Sequence, residues 1–212
     1  MYKYIVKRII DIVLSLLGAI ILLPVFIIVG ALIYIDDPGP VFFKQKRIGK
    51  DKKEFWLHKF RSMKMNTPDI PTHLLHNPKQ YITNVGRVIR TLSIDELPQI
   101  YDILIGNMSI IGPRPALWNQ DDLIAERDKY GANDIKPGLT GWAQINGRDE
   151  LPINVKAEYD GVYVEILNKG GFAAFFMDLK CFIGTITKVL KREGVVEGNL
   201  SEKRYEKEAI TK

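Results

Sequence analysis

No charged side chain occurs between residues 12 and 35, a stretch of 24 positions with Pro24 at its centre. At about 1.5 Å per residue this run makes a helix of roughly 36 Å, enough for a hydrocarbon core about 30 Å thick. Pro24 has no N–H to donate and its ring clashes with the carbonyl four residues back, so the pattern predicts a sharp bend and two arms of roughly 18 Å. Two topologies fit: a kinked span, and a re-entrant helix that enters and leaves the same leaflet. A cleaved signal peptide fits poorly, because the run is much longer than an apolar region of about 7–15 residues.

Beyond it, Asp36-Asp37-Pro38-Gly39-Pro40 is a turn cluster. Residues 41–47 and 54–60 are short β-prone runs on either side of a Gly- and Lys-containing loop, which predicts a hairpin. Residues 66–83 carry Pro68, Pro71 and Pro78 with His73 and His76, and read as a surface loop whose histidines lack a carboxylate or cysteine pattern suited to a metal. A short helix is expected over 84–91, carrying Arg87 and Arg90, and a longer one over 152–165, carrying Asp160. The last helix, 172–192, spaces Phe172, Phe175, Phe176, Leu179, Phe182, Ile183 and Ile186 by threes and fours on one face, suited to a core or to a membrane interface.

About 177 residues follow the apolar run, enough for one globular core. The expected organisation is a membrane helix over 1–37, a catalytic domain over 38–196 and a polar tail over 197–212. Charge then bears on topology. The net +5 is modest, but Lys3, Lys7 and Arg8 precede the apolar run and Lys44, Lys46, Arg47, Lys50, Lys52 and Lys53 follow it. A single span puts one cluster outside, whereas a re-entrant helix keeps both inside, as the bias of basic residues toward the cytoplasm favours. The clusters suit anionic membrane lipids or a phosphorylated substrate, and no nucleic-acid partner is expected. One cysteine, Cys181, excludes an intramolecular disulfide and a cysteine metal cluster.

The chemistry concentrates between residues 93 and 148. Ser93 followed three positions later by Glu96 matches a helix capping box, which places Asp95 and Glu96 at a helix N-terminus where negative charge is favoured. Such carboxylates serve either as caps alone or as nucleophile and metal ligand. Arg114 lies between Pro113 and Pro115 in a stiff loop and suits a phosphate or a neighbouring helix end. Residues 135–148 form a second Gly-rich stretch, ending on Arg148, that either cradles a nucleotide or turns corners.

Taken together, GPVFFKQKRIG (39–49), HKFRSM (58–63), VGRVIRTLSIDELPQ (85–99), GNMSIIGPRP (106–115), KPGLTGWAQINGR (136–148) and the closing DLK and KREGV segments resemble the bacterial sugar transferases. The resemblance is to their small monotopic members, the polyprenol-phosphate phosphoglycosyltransferases. It implies an α+β fold: a mainly helical membrane-associated domain with a proline-broken re-entrant helix, a small β-hairpin and interfacial amphipathic helices. It also implies transfer of a sugar-1-phosphate from a UDP-sugar to undecaprenyl phosphate, with release of UMP, at the cytoplasmic face of the bacterial inner membrane. Asp95 is then the nucleophile and Glu96 a Mg²⁺ ligand, while Lys59, Arg90, Arg114, Arg148 and Asp160 bind substrate phosphates or support the acidic pair. Leu23 departs from members that place a serine before the proline. A homodimer stays open, as does the identity of the sugar, for which Gln144 and the 66–83 loop are candidate selectors. The rival readings are a Mg²⁺-dependent UDP-sugar hydrolase and a noncatalytic scaffold of a glycan pathway.

Overall fold

A computed structural model describes residues 1–68, 78–147 and 151–191; the 197–212 tail, His73, His76 and Arg148 lie outside them. The chain starts on a π-helical turn, Tyr2–Val6, that runs into α1, Lys7–Asp36. Helix α1 continues through Pro24, where the sequence predicts a break. One hydrogen bond is lost at the proline, but the flanks are packed on both sides of it, with Ser15 and Val29 buried.

The buried positions of α1, Lys7, Asp11, Ser15, Val29 and Ile33, share one face, and Ile20, Ile21, Leu23, Ile27 and Ile28 are exposed. Polar groups therefore face the protein while aliphatic groups face out, the reverse of a soluble helix and the pattern a lipid surround demands. Both ends are tied down. Arg8 donates to the carbonyls of Ile103 and Leu104 at 2.6 and 2.9 Å, and Asp11 accepts from the Ser109 hydroxyl at 2.8 Å and the Ile110 N–H at 3.0 Å. At the far end Asp36 accepts from the Val85 N–H at 2.8 Å, and Asp37 pairs with Arg61 at 3.0 Å.

The expected hairpin is present as β1, Phe42–Ile48, and β2, Glu54–Phe60, antiparallel with Phe42 opposite Phe60. Those two rings stack at 5.4 Å, and Phe60 is buried with Val29, Ile33 and Ile89 beneath the second half of α1. Helix α2 is Asn84–Thr91; its start is capped by the Thr83 hydroxyl, which accepts from the Gly86 N–H at 2.9 Å. Helix α3, Gln99–Ile105, ends at Gly106, whose φ of +94° is left-handed.

Two strands of three residues, β3 (Ser109–Ile111) and β4 (Gly138–Thr140), pair in parallel within stretches that read as loops. Helix α4, Asp121–Asp128, separates them. Helices α5 (Trp142–Ile145), α6 (Ile153–Lys169) and α7 (Gly171–Lys191) complete the described chain. The largest apolar cluster lies between α6 and α7 and includes Tyr163, Leu167, Met177, Cys181 and Tyr2. Beside it Asp178 accepts from the Tyr2 and Tyr163 hydroxyls at 2.7 and 2.8 Å and from Lys7 at 2.9 Å. Helix α7 thus buries Ala174, Met177, Asp178 and Cys181, and leaves Phe172, Phe176, Ile183 and Ile186 exposed. The phenylalanine face is outside, as an interfacial helix requires and a core helix does not.

Candidate active site

Three segments distant in sequence meet at the acidic pair, one of them carrying it. Lys59 comes from the end of β2, Asp95 and Glu96 from a 3₁₀ turn, Ile94–Glu96, between α2 and α3, and Arg114 from the loop after β3. Ser93 enters this turn left-handed, with φ of +56° and ψ of +20°, and its side chain makes no cap. The capping box expected from Ser93 and Glu96 is absent because Glu96 is engaged elsewhere. Its Oε1 accepts from Lys59 Nζ at 2.9 Å and from Arg114 Nη2 at 2.5 Å, and its Oε2 accepts from Arg114 Nη1 at 3.2 Å. A two-cation pairing outweighs one reciprocal cap bond, whose worth is about 1 kcal/mol.

The loop that carries Arg114 is held on two sides. The Gly112 N–H donates to the Thr140 carbonyl and the Gly138 N–H to the Pro113 carbonyl, both at 2.8 Å. A Cβ on Gly112 would stand 2.6 Å from the Lys136 carbonyl oxygen, so only glycine permits this approach. From the hairpin, Arg47 Nη1 donates to the Pro115 carbonyl at 3.0 Å and the Ile48 N–H to the Ala116 carbonyl at 3.0 Å. Arg47, singled out in the sequence only as one of a basic cluster, is a positioning residue for Arg114.

The two acids differ in electrostatic state. Burial raises the Asp95 carboxyl above its ordinary value; Lys59 opposes the rise, Glu96 adds to it, and Arg90 and Arg114 oppose it. Burial pushes Glu96 up as well, yet Arg114 and then Lys59 hold it well below the usual carboxylate range. Burial also lowers the Lys59 ammonium, against the attraction of Glu96. Glu96 is therefore a fixed, neutralised anion. Among the described residues the Asp95 carboxylate makes no hydrogen bond or ion pair, and its raised basicity makes it the stronger nucleophile.

Arg90 ends α2 close enough to Asp95 to favour its ionised form. Asp160 stands apart from this group in its contacts: it accepts from Arg127 Nε and Nη2 at 2.8 and 2.6 Å, with both side chains almost wholly buried. That pair fastens α6 to α4. Arg127 carried no signal in the sequence beyond being a charge in a helical stretch. His58, next to Lys59, pairs instead with buried Asp102 of α3, Nδ1 to Oδ1 at 2.8 Å and backbone N–H to Oδ2 at 2.9 Å.

Among the described residues no group of three or more His, Cys, Asp or Glu side chains is arranged to hold a metal ion. Mg²⁺ shared with substrate phosphates needs only one or two protein carboxylates, and Asp95 with Glu96 supplies two. Asp95 is the open carboxylate of this donor set, and Glu96 joins it as a Mg²⁺ ligand only by giving up a contact to Lys59 or Arg114.

A family model described as bacterial sugar transferase matches residues 2–192. The uncharacterized sugar transferase EpsL of Bacillus subtilis (strain 168) is 38% identical over 195 residues, covering 92% of each chain. The UDP-glucose:undecaprenyl-phosphate glucose-1-phosphate transferase of Escherichia coli (strain K12) is 40% identical over 150 residues, 66% of this chain and 31% of that one. The UDP-N-acetylgalactosamine-undecaprenyl-phosphate N-acetylgalactosaminephosphotransferase of Aeromonas hydrophila is 34% identical over 168 residues, 76% of this chain and 39% of that one. The match therefore spans nearly all of the EpsL chain but only about a third of the length of the two transferases.

Proposed function

Because the chain belongs to the bacterial sugar transferase family, we propose that it moves a sugar-1-phosphate from a UDP-sugar to a polyprenol phosphate, with Asp95 as nucleophile. The observation that carries this reading is the division of labour in one turn: Glu96 is clamped by Lys59 and Arg114, and the more basic Asp95 is left uncommitted.

In the first displacement an Asp95 carboxylate oxygen attacks the β-phosphorus of the UDP-sugar. The bond from that phosphorus to the bridging oxygen breaks, and UMP leaves with the electron pair. In the second, a phosphate oxygen of the polyprenol phosphate attacks the same phosphorus, the acyl-phosphate bond breaks, and Asp95 returns as a carboxylate while polyprenol diphosphate-sugar forms. Splitting the transfer lets one site serve a soluble donor and a lipid acceptor in turn. Arg114, fixed by Glu96 and its braced loop, presents a guanidinium to the transferring phosphate, and Lys59 and then Arg90 favour the ionised form of Asp95 against its burial. Glu96, with Asp95 beside it, would hold Mg²⁺ against the donor diphosphate, where the ion offsets phosphate charge. Arg148 follows the same Gly-rich stretch as β4 and is assigned to the nucleotide by family position alone.

A lipid acceptor requires the site to lie at a bilayer surface. The exposed aliphatic face of α1, the exposed phenylalanines of α7 and the anchoring of both ends of α1 to one protein body support a re-entrant α1, and the basic residues on both its flanks favour the cytoplasmic face.

The test uses a UDP-sugar labelled in the β-phosphate. Without polyprenol phosphate the protein is expected to release one equivalent of UMP and retain the label, and the Asp95→Asn variant to do neither. Continued UMP release without acceptor identifies a hydrolase instead, and label on Asp95→Asn removes Asp95 as nucleophile.

A further inference from the structure

Apart from the candidate active site, a cationic cavity lies where the N-terminal turn and α1 meet β3 and the loop before β4. Its volume is about 180 Å³, and its walls carry five cationic side chains, Lys3, Lys7, Arg8, Lys50 and Lys136, against the carboxylates of Asp11 and Asp134. None of Lys59, Asp95, Glu96 or Arg114 lines it.

The charges within it are unevenly committed. Lys7 is neutralised by Asp178, and Lys3 donates to Asn168 at 2.7 Å. Asp11 is occupied by the Ser109 hydroxyl and the Ile110 N–H. Arg8 uses Nη1 and Nη2 on carbonyls, which satisfies its donors there without cancelling its charge. Among the described residues the Lys136 ammonium has no hydrogen-bond or ion-pair partner. Arg8 Nη2 and Lys136 Nζ each stand 3.4 Å from the point where a Cβ on Gly106 would be, so two like charges converge over a bare glycine. Burial, and then the neighbouring Arg8, lower the Lys136 ammonium below its ordinary value, with Lys50 adding to the effect and Asp11 opposing it. Like charges gathered this way are stabilised by an anion placed between them.

Size and position decide which anion. The volume falls well below the roughly 300–1,000 Å³ that encloses larger ligands, so a nucleotide-sugar does not fit, whereas a phosphate with its first few carbons does. Tyr4 lines the rim and is 73% exposed, Ile5 beside it is exposed, and Tyr2 packs edge-on against Phe175 of α7 at 6.3 Å. The mouth is therefore bordered by the groups that lie at a headgroup layer. We propose that this cavity binds the phosphate headgroup of an anionic membrane phospholipid, at a site separate from the catalytic one, and that Arg8 and Lys136 are its principal contacts.

The site is tested on the full chain in nanodiscs of phosphatidylcholine alone or with phosphatidylglycerol, by following lysine acetylation with mass spectrometry. Lys44, exposed on β1, is the internal reference for general attraction to an anionic surface. Phosphatidylglycerol is expected to slow acetylation of Lys136 several-fold relative to Lys44, and Lys136→Gln to retain several-fold less phosphatidylglycerol through detergent exchange than Lys44→Gln. Equal slowing at both lysines overturns the site. Equal slowing of Lys136 by inorganic phosphate in phosphatidylcholine discs overturns the lipid as its source. The Asp95→Asn chain is expected to give the same protection, so failure of the catalytic reading leaves this result standing.

Discussion

Asp95 and Glu96 are consecutive in one 3₁₀ turn and are perturbed in opposite directions, the first raised chiefly by burial, the second held down by Arg114 and Lys59 against its own burial. Two adjacent carboxylates with separated basicities can take two roles: the more basic one reacts and the less basic one stays charged as a fixed anchor. A pH profile reads this difference directly. In the proposed mechanism Asp95 reacts as the carboxylate, so kcat/KM is expected to fall on the acid side at a pH above that of an ordinary aspartate. Arg90 lowers the Asp95 value, so Arg90→Gln is expected to move the acid limb to higher pH. A limb that moves to lower pH, or stays in place, contradicts the assignment.

Arg114 makes two N–H contacts to Glu96, a fork that lysine cannot reproduce. Arg114→Lys keeps the charge and loses the geometry. With about 1.5–3 kcal/mol attached to a hydrogen bond between charged groups, kcat/KM is expected to drop roughly 10- to 100-fold. The thermal midpoint should change little, because Arg114 is partly exposed and its loop is still held by Arg47 and β4. A large loss of stability would make Arg114 a scaffold residue instead.

For Asp160 the expectation is reversed. Its pair with Arg127 is buried at both ends, and removing one partner of such a pair costs about 3–5 kcal/mol. Asp160→Asn is therefore expected to lower the thermal midpoint by roughly 10 °C. Activity measured well below that midpoint should retain its KM for the UDP-sugar. A raised KM with an unchanged midpoint would return Asp160 to the substrate site.

The hairpin, α2 and α6 were legible because short β-prone runs, an apolar period and turn residues each specify local structure within a few positions. The N-cap of α2 is carried by Thr83, adjacent to the helix, and is equally local. The Ser93 capping box misled for the opposite reason. It is a local motif overridden by Lys59 and Arg114, which lie 37 and 18 residues from Glu96 and are brought to it only by the fold. Residues 109–111 and 138–140 are too short to show a strand period, and their pairing rests on backbone approach at Gly112. In α7 the periodicity located the apolar face correctly but not which side it takes. Burial of Asp178 by Tyr2, Lys7 and Tyr163 turns the small residues inward and the phenylalanines out. Of the candidate site, the family motifs supplied Lys59, Asp95, Glu96 and Arg114, while Arg47 and Arg127 emerge only from contacts across the fold.

The proposed re-entrant topology of α1 rests on how its ends are fastened. Arg8 and Asp11, in its first two turns, hold α3 and β3 through four hydrogen bonds; Asp36, in its last turn, holds the N–H of Val85 in α2. Residues 92–98 alone join α2 to α3, so the two ends of α1 grip neighbouring parts of one body. A full span would separate one end from its partners by about 30 Å of hydrocarbon, leaving Arg8 and Asp11, or Asp36, without them; each hydrogen bond to a charged group contributes about 1.5–3 kcal/mol. A re-entrant path, which the helical hydrogen bonding through Pro24 allows only as a bend within one continuous α1, would keep all five bonds and both basic flanks on one side. Lys3→Cys and Lys52→Cys report the two flanks, and the native Cys181 is buried, which limits background labelling. In intact cells an impermeant maleimide is expected to label neither variant, and after permeabilisation to label both. Strong labelling of Lys3→Cys from outside would establish a span and would require the contacts of Arg8 and Asp11 to be broken in the membrane.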